Sequence, residues 1–160
     1  MRTIKAEPLT AAAFAPFGDV LEAPAAFGRV YCDAGLANGR ADARPSLSIA
    51  HVKPVEAVPL KAVMMERHEF SSQSFIPLDP VRYIVLVAPK AADGGPDLGA
   101  ARAFLATGQQ GITYRMDVWH HPMTVLDRPA RFAIVMWLDG GNKDEEFVQL
   151  AVPVEIALAG

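Results

Sequence analysis

Apolar and polar side chains alternate along much of this chain in the pattern of short strands. Ser46 to Val52 sets Leu47 and Ile49 on one face and Ser48 and Ala50 on the other, which predicts a half-buried strand. Val58 to His68 continues the period. Leu60, Ala62, Met64, Glu66 and His68 then share one side, so two polar side chains emerge from an apolar row. Val81 to Ala88 is a nearly continuous apolar run between Pro80 and Pro89, and its β-branched residues favour a buried strand over a short helix. Ile112, Tyr114 and Met116 alternate with Thr113 and Arg115, Val118 to His121 runs up to Pro122, and Phe132 to Leu138 is a further apolar strand.

Two stretches carry helix signals. Thr10 is a hydroxyl cap ahead of Ala11 to Phe14, with Pro16 and Gly18 to end the turn. Asp97 can cap a second short helix through Phe104 and Leu105, stopped by Gly108. Phe27 to Arg44 lacks periodicity and reads as loops around at most one short strand, Arg29 to Cys32. Asp93 to Pro96 and Asp139 to Asn142 are turns. Many short strands with two short peripheral helices predict an all-β fold: a sandwich, jelly roll or small barrel. No linker or repeat divides residues 1–160, so a single domain is expected.

Composition narrows the partners. With 51% hydrophobic and 21% charged residues the chain has the make-up of an ordinary folded protein. A formal net charge of −3, with Lys and Arg scattered, gives no basic stripe for nucleic acid. The lone cysteine, Cys32, excludes an internal disulfide framework and fits a reducing compartment. The amino-terminal MRTIKAEPLT has no apolar signal core, and no stretch approaches the roughly 18 apolar residues of a membrane span. A soluble, cytoplasmic protein is expected.

Two constellations carry chemistry. Glu66 and His68 are two residues apart, so on a strand a carboxylate and an imidazole project from one face; they can hold a divalent metal, act as an acid–base pair, or lie on a solvent face. In Trp119-His120-His121-Pro122 the neighbouring histidines face opposite ways, and the even phase from Ile112 through Val118 selects His120 as the one sharing a cavity with Glu66 and His68. Read alone, His120 is more often a hydrogen-bonded core histidine and Trp119 a packing residue. Arg67, Arg82, Arg102 and Arg115 are each able to clamp a carboxylate through a bidentate fork, though surface roles are the commoner use. Phe75, Tyr83, Tyr114, Trp119 and Trp137 read as core or cavity walls, and the methionines as core filler.

Taken together, Glu66-x-His68 followed by Gln73, and then His120 after the loop beginning at Gly111, resemble the two-part motif of the cupins, with Glu66 in place of a first histidine and neutral Gln73 where a carboxylate is usual. The segments PLTAAAFAPFGDVLE, ERHEFSSQSFIPL and, above all, AFLATGQQGITYRMDVWHHP resemble ureidoglycolate lyases more narrowly. The loop DAGLANGRADARPS and the stretch MWLDGGNKDEEF depart from that family's pattern. The resemblance implies a cupin-like double-stranded β-helix, or jelly-roll barrel, acting as a C–N (amidine-type) lyase. The reaction it implies is the cleavage of (S)-ureidoglycolate to glyoxylate and urea in allantoin and purine catabolism. It implies Glu66, His68 and His120 as the catalytic set or as ligands of a weakly held divalent metal such as Ni²⁺, and a homodimer. Gln73, Phe75, Tyr83, Arg102 and Trp119 are the expected substrate-binding residues. The rival readings are a non-catalytic cupin that binds a small organic acid, and a related enzyme acting on another small polar carboxylate.

Overall fold

The computed structural model describes residues 2–158; the two ends of the expected 1–160 domain lie outside them. The chain opens with strands β1 (Arg2–Lys5) and β2 (Glu7–Pro8), helix α1 (Ala11–Phe14) and β3 (Gly18–Leu21). Then follow β4 (Arg44–Val52), β5 (Leu60–His68), β6 (Gln73–Pro77), β7 (Tyr83–Ala88), β8 (Arg102–Ala106) and β9 (Gly111–Tyr114). The chain closes with β10 (Trp119–His120), β11 (Thr124–Val125), β12 (Ala130–Leu138) and the long β13 (Glu145–Ala157).

These strands form two facing sheets. One runs β1-β13-β5-β10-β7-β8-β2, with β11 also paired to β7, and the other runs β3-β9-β6-β12-β4. The alternation along β7 explains the layering: Tyr83, Val85 and Val87 enter the core between the sheets, whereas Ile84, Leu86 and Ala88 enter a second core on the reverse face. Phe75, Ile112, Tyr114 and Phe132 supply the first core from the five-stranded sheet. This is the jelly-roll barrel expected from the many short strands. Gly18 is required where β3 meets β9, because a Cβ there would sit 1.8 Å from the Thr113 carbonyl oxygen.

Helix α1 lies where Thr10 signals it, and the Thr10 hydroxyl accepts a hydrogen bond from Ala13 N at 3.2 Å. The second expected helix is absent. Asp97 closes a single turn, its Oδ1 accepting from Ala100 N, after which Arg102–Ala106 becomes strand β8 paired with β7. Pairing to a buried central strand overrides the local helical preference. Arg29 to Cys32 is irregular rather than a strand. Strand β4 forms as expected, yet its apolar face is turned outward: Leu47 is 70% and Ile49 62% exposed. In β5 the expected single apolar face is interrupted. Ala62 and Met65 lie in the same core, because the ladder to β13 is irregular between Gln149 and Val154 and the phase of β5 changes there. From Met65 onward the alternation is regular and sets the polar site.

Candidate active site

β10 is only two residues long, but it is wedged between β5 and β7, with His120 opposite Glu66 on one side and Val87 on the other. Residues paired directly across strands share a face. Because Val87 faces the space between the sheets, His120 and Glu66 do too, and His68 follows Glu66 by two. Trp119 pairs with Ala88 and goes to the reverse core, where the Arg67 guanidinium lies 4.8 Å from its ring. The structure therefore brings Glu66, His68 and His120 together at the barrel's inner face. The His68 and His120 ring centroids are 5.9 Å apart. His121 is turned to its own hairpin, its Nδ1 within 2.9 Å of Pro122 O and 3.1 Å of Thr124 Oγ1.

The hydrogen bonds fix which nitrogens are available. His120 Nδ1 lies 2.9 Å from Val118 O, and a carbonyl can only accept, so Nδ1 carries the proton and Nε2 is the working atom. Nε2 is buried without a hydrogen-bond partner, while Glu66 Oε1 sits 3.3 Å away, at ion-pair range but off the direction of an N–H bond. Burial pushes the Glu66 carboxyl upward, but contact with His120 and the fields of His68 and His121 outweigh it and hold Glu66 below the usual range. Glu66 is thus a carboxylate facing His120 Nε2. His68 is the opposite case. Burial and the neighbouring His120 push its imidazole below the ordinary value, more than Asp144 and Glu66 raise it, so it is neutral at pH 7. Its Nδ1 is 3.6 Å from Asp144 Oδ2, beyond hydrogen-bond length, and its Nε2 is buried and unpartnered.

Tyr114 stacks on His120 with centroids 4.0 Å apart and ring planes at 11°, and Phe75 meets the Tyr114 ring edge-on. Burial drives the Tyr114 phenol well above its ordinary value, so it forms a neutral wall. Gln73 is buried beside this wall, opposite Tyr114 in the ladder, with an unpartnered Oε1. Gln73 and Phe75 are accordingly at the site. Three other expected contacts are elsewhere. Tyr83 lies four residues along β7 from Val87, its hydroxyl donating to Gln110 O at 2.7 Å. Arg102 sits on β8 with its fork on Glu7 at 2.9 Å and Nη1 on Ala13 O. Trp119 faces the reverse core. The remaining arginine candidates are also engaged: Arg67 with Asp117 and Glu146, Arg82 with Asp127, and Arg115 near Asp19 at 3.8 Å.

The arginine beside the histidines is Arg40, from the irregular loop. Backbone bonds from Gly39 N to Phe70 O and from Ser72 N to Ala37 O dock that loop against the segment following His68. Arg40 then spans to Asp139 at 2.7 Å, Asp144 at 3.1 Å and Trp137 O at 2.8 Å. Asp144 also accepts from Phe70 N at 2.7 Å and from Ser71 Oγ. A cavity of about 40 Å³ lies among Arg40, His68, Trp137 and Asp144. Both stretches that depart from the family pattern therefore line it. Larger depressions are open surface, such as the one of about 500 Å³ beside His51, Asp79 and Arg131.

Three comparisons place this geometry among known proteins. The ureidoglycolate lyase family model matches residues 1–157. The chain belongs to the ureidoglycolate lyase family. Relatives named ureidoglycolate lyase include one from Brucella anthropi, 40% identical over 92% of this chain and 90% of the relative. One from Pseudomonas paraeruginosa is 38% identical over 92% and 91%, and one from Burkholderia mallei 38% over 91% and 89%. Among solved structures, a dTDP sugar isomerase from Desulfovibrio desulfuricans shares the fold, with a TM-score of 0.51 and 16% identity over 84% of each chain. The family thus makes the chain an enzyme of the lyase type on a cupin-like barrel. Among the described residues, no helix is long and apolar enough to cross a membrane.

Lyase chemistry on such a barrel raises the question of a metal. Among the described residues no three His, Cys, Asp or Glu side chains converge closely enough to hold an ion, and Glu66, His68 and His120 do not form such a group. A tight site needs three or four donors at about 2.0–2.2 Å. As placed, these three side chains are not drawn in around an ion, and no chemical step is derived through a metal.

Proposed function

We propose that this protein cleaves (S)-ureidoglycolate to glyoxylate and urea as a C–N lyase, with His68 as general base and His120 as general acid. The observation that carries the assignment is the pair of inward histidines in unlike surroundings: His68 neutral with a free Nε2, and His120 with its Nε2 3.3 Å from the ionised carboxylate of Glu66. A base and an acid working at one pH need unlike surroundings, and these two imidazoles have them. His68 removes the carbinol hydroxyl proton. The oxygen electrons form the aldehyde carbonyl, the C–N bond breaks, and its electron pair leaves on the ureido nitrogen. That nitrogen takes the proton from His120, so glyoxylate and urea form without attack by water. Glu66 holds the His120 proton until it is transferred, and Tyr114 and Phe75 wall the site from solvent.

The same proposal includes a cytoplasmic homodimer in a nitrogen-recovering pathway. The dimer is supported by the outward apolar row formed by Ile49, Ala133 and Ile76, which are directly paired across β4, β12 and β6, together with Leu47. A second copy is the occupant that buries this face. The exposed free thiol of Cys32 suits a reducing compartment. Incubating the purified protein with racemic ureidoglycolate and following glyoxylate and urea separately tests the function. Equimolar release of both, confined to half of the racemate, is expected; binding without turnover supports an organic-acid module instead.

A further inference from the structure

The small cavity beside His68 holds an unusual concentration of unused hydrogen-bonding capacity. Arg40 Nε and Trp137 Nε1 are both buried and both without a partner, in residues that line the same 40 Å³ space as His68. Each is an N–H that can only donate. Unpaired buried donors are costly, and two around one cavity mark a place built to receive an acceptor. A cavity of this size admits a small polar head rather than a whole substrate.

The surrounding charge decides which head. The Arg40 guanidinium is already met by Asp139 at 2.7 Å and Asp144 at 3.1 Å, and Glu145 also lines the cavity. One cation stands among three carboxylates, so another carboxylate entering here would be repelled. An uncharged carbonyl accepts from both N–H groups without that penalty, and an N–H on the same head can take the acceptor site that three existing bonds leave on the Asp144 carboxylate. A urea-type group has this combination of one acceptor oxygen flanked by donors.

Building on the lyase reading above, we infer that this cavity is the ureido subsite, in which Arg40 Nε and Trp137 Nε1 donate to the ureido carbonyl and Asp144 accepts from the terminal amide. The scissile nitrogen then lies beside the histidines, and the carboxylate end of the substrate lies outside this cavity. The two stretches that depart from the family pattern, around Arg40 and around Trp137, are the walls that read the leaving group.

Hydantoate, which has the ureido and carboxylate groups but no hydroxyl to deprotonate, is the binding probe; glycolate, which lacks the ureido group, is the control. Titration calorimetry on the wild type, Trp137→Phe and Arg40→Gln proteins, each checked for a native circular-dichroism spectrum, tests the subsite. Trp137→Phe keeps the ring and loses one donor, so hydantoate should weaken about 2- to 12-fold while glycolate is unchanged. Arg40→Gln should follow the same pattern if it folds, and Trp137→Phe decides the matter if it does not. Equal losses for both ligands, or no loss for hydantoate, overturn the inference. Turnover of ureidoglycolate with hydantoate binding unchanged in Trp137→Phe would overturn the subsite and leave the lyase reading standing. Selective loss of hydantoate binding in a protein that releases no glyoxylate would sustain the subsite and refute the lyase reading alone.

Discussion

Replacing Asp144 with alanine removes the side chain that ties three separate segments to the site. Its carboxylate, 8% exposed, accepts from Phe70 N at 2.7 Å, from the Ser71 hydroxyl and from Arg40 Nη2 at 3.1 Å. Hydrogen bonds to a charged group contribute about 1.5–3 kcal/mol each, but bonds to a single carboxylate are one network and do not add in full. Arg40 also keeps its 2.7 Å contact with Asp139, so its charge is not left alone. Losing one member of a buried pair costs about 3–5 kcal/mol, and that is the expected loss here. At roughly 2–4 °C per kcal/mol for a domain of this size, the melting temperature should fall by about 6–20 °C. Asp144→Asn keeps an acceptor for Phe70 N and should lose only about 1–2 kcal/mol. Urea unfolding followed by tryptophan fluorescence measures both. A loss below about 1 kcal/mol for the alanine protein would refute the tie between these segments.

Stability should also depend on pH in a defined direction. His68 and His121 both have folded pKa values below their ordinary one, so the unfolded chain binds more protons in that range, and stability is full above about pH 6.5 and declines as pH falls through their depressed folded values. Glu66, whose folded pKa is also lowered, adds stability above about 4.5 that is lost at still lower pH. Denaturant midpoints from pH 8 to 5 should show the decline, and His68→Gln should flatten it; an unchanged slope in that variant contradicts the burial argument. Dialysis against a chelator should leave both fold and turnover intact, whereas activity lost and then restored by Ni²⁺ would show that the donors close on an ion in solution. Sedimentation should give a dimer at micromolar concentration, and Ile49→Lys should shift it toward monomer; a wild-type monomer refutes the pairing.

The core and the shared face of Glu66 and His68 were legible in sequence for the same reason. Val81 to Ala88 is apolar on both faces and lies between two prolines, so it could only be a central strand, and the two-residue step from Glu66 to His68 fixes a shared face wherever a strand is regular. The phase from Ile112 does not itself carry to His120, because β9 and β10 lie in different sheets and the chain turns at Asp117, with φ 66°, between them; pairing with Glu66 is what places His120. The signal failed where long-range pairing decides. Asp97 to Leu105 has caps and apolar residues that suit a helix, and only the partner strand β7 makes its second half a strand. β13 went unread because its ladder breaks between Gln149 and Val154, erasing the alternation. Arg40 lies in a stretch without periodicity, and what places it is contact with Asp139 and Asp144, about a hundred residues away in sequence. The pattern of Leu47 and Ile49 gave a face but not its direction, since alternation is the same whether the apolar side meets the core or another copy.

The central claim is that His68 and His120 divide base and acid between them. Initial rates of glyoxylate release from (S)-ureidoglycolate by wild type, His68→Ala, His120→Ala and His121→Ala proteins, each shown to be folded, test it most directly. Loss of general acid–base catalysis is worth about 10²- to 10⁴-fold, so His68→Ala and His120→Ala should each fall by that much while His121→Ala stays within a few-fold of wild type. A folded His120→Ala protein that releases glyoxylate at the wild-type rate would contradict the account.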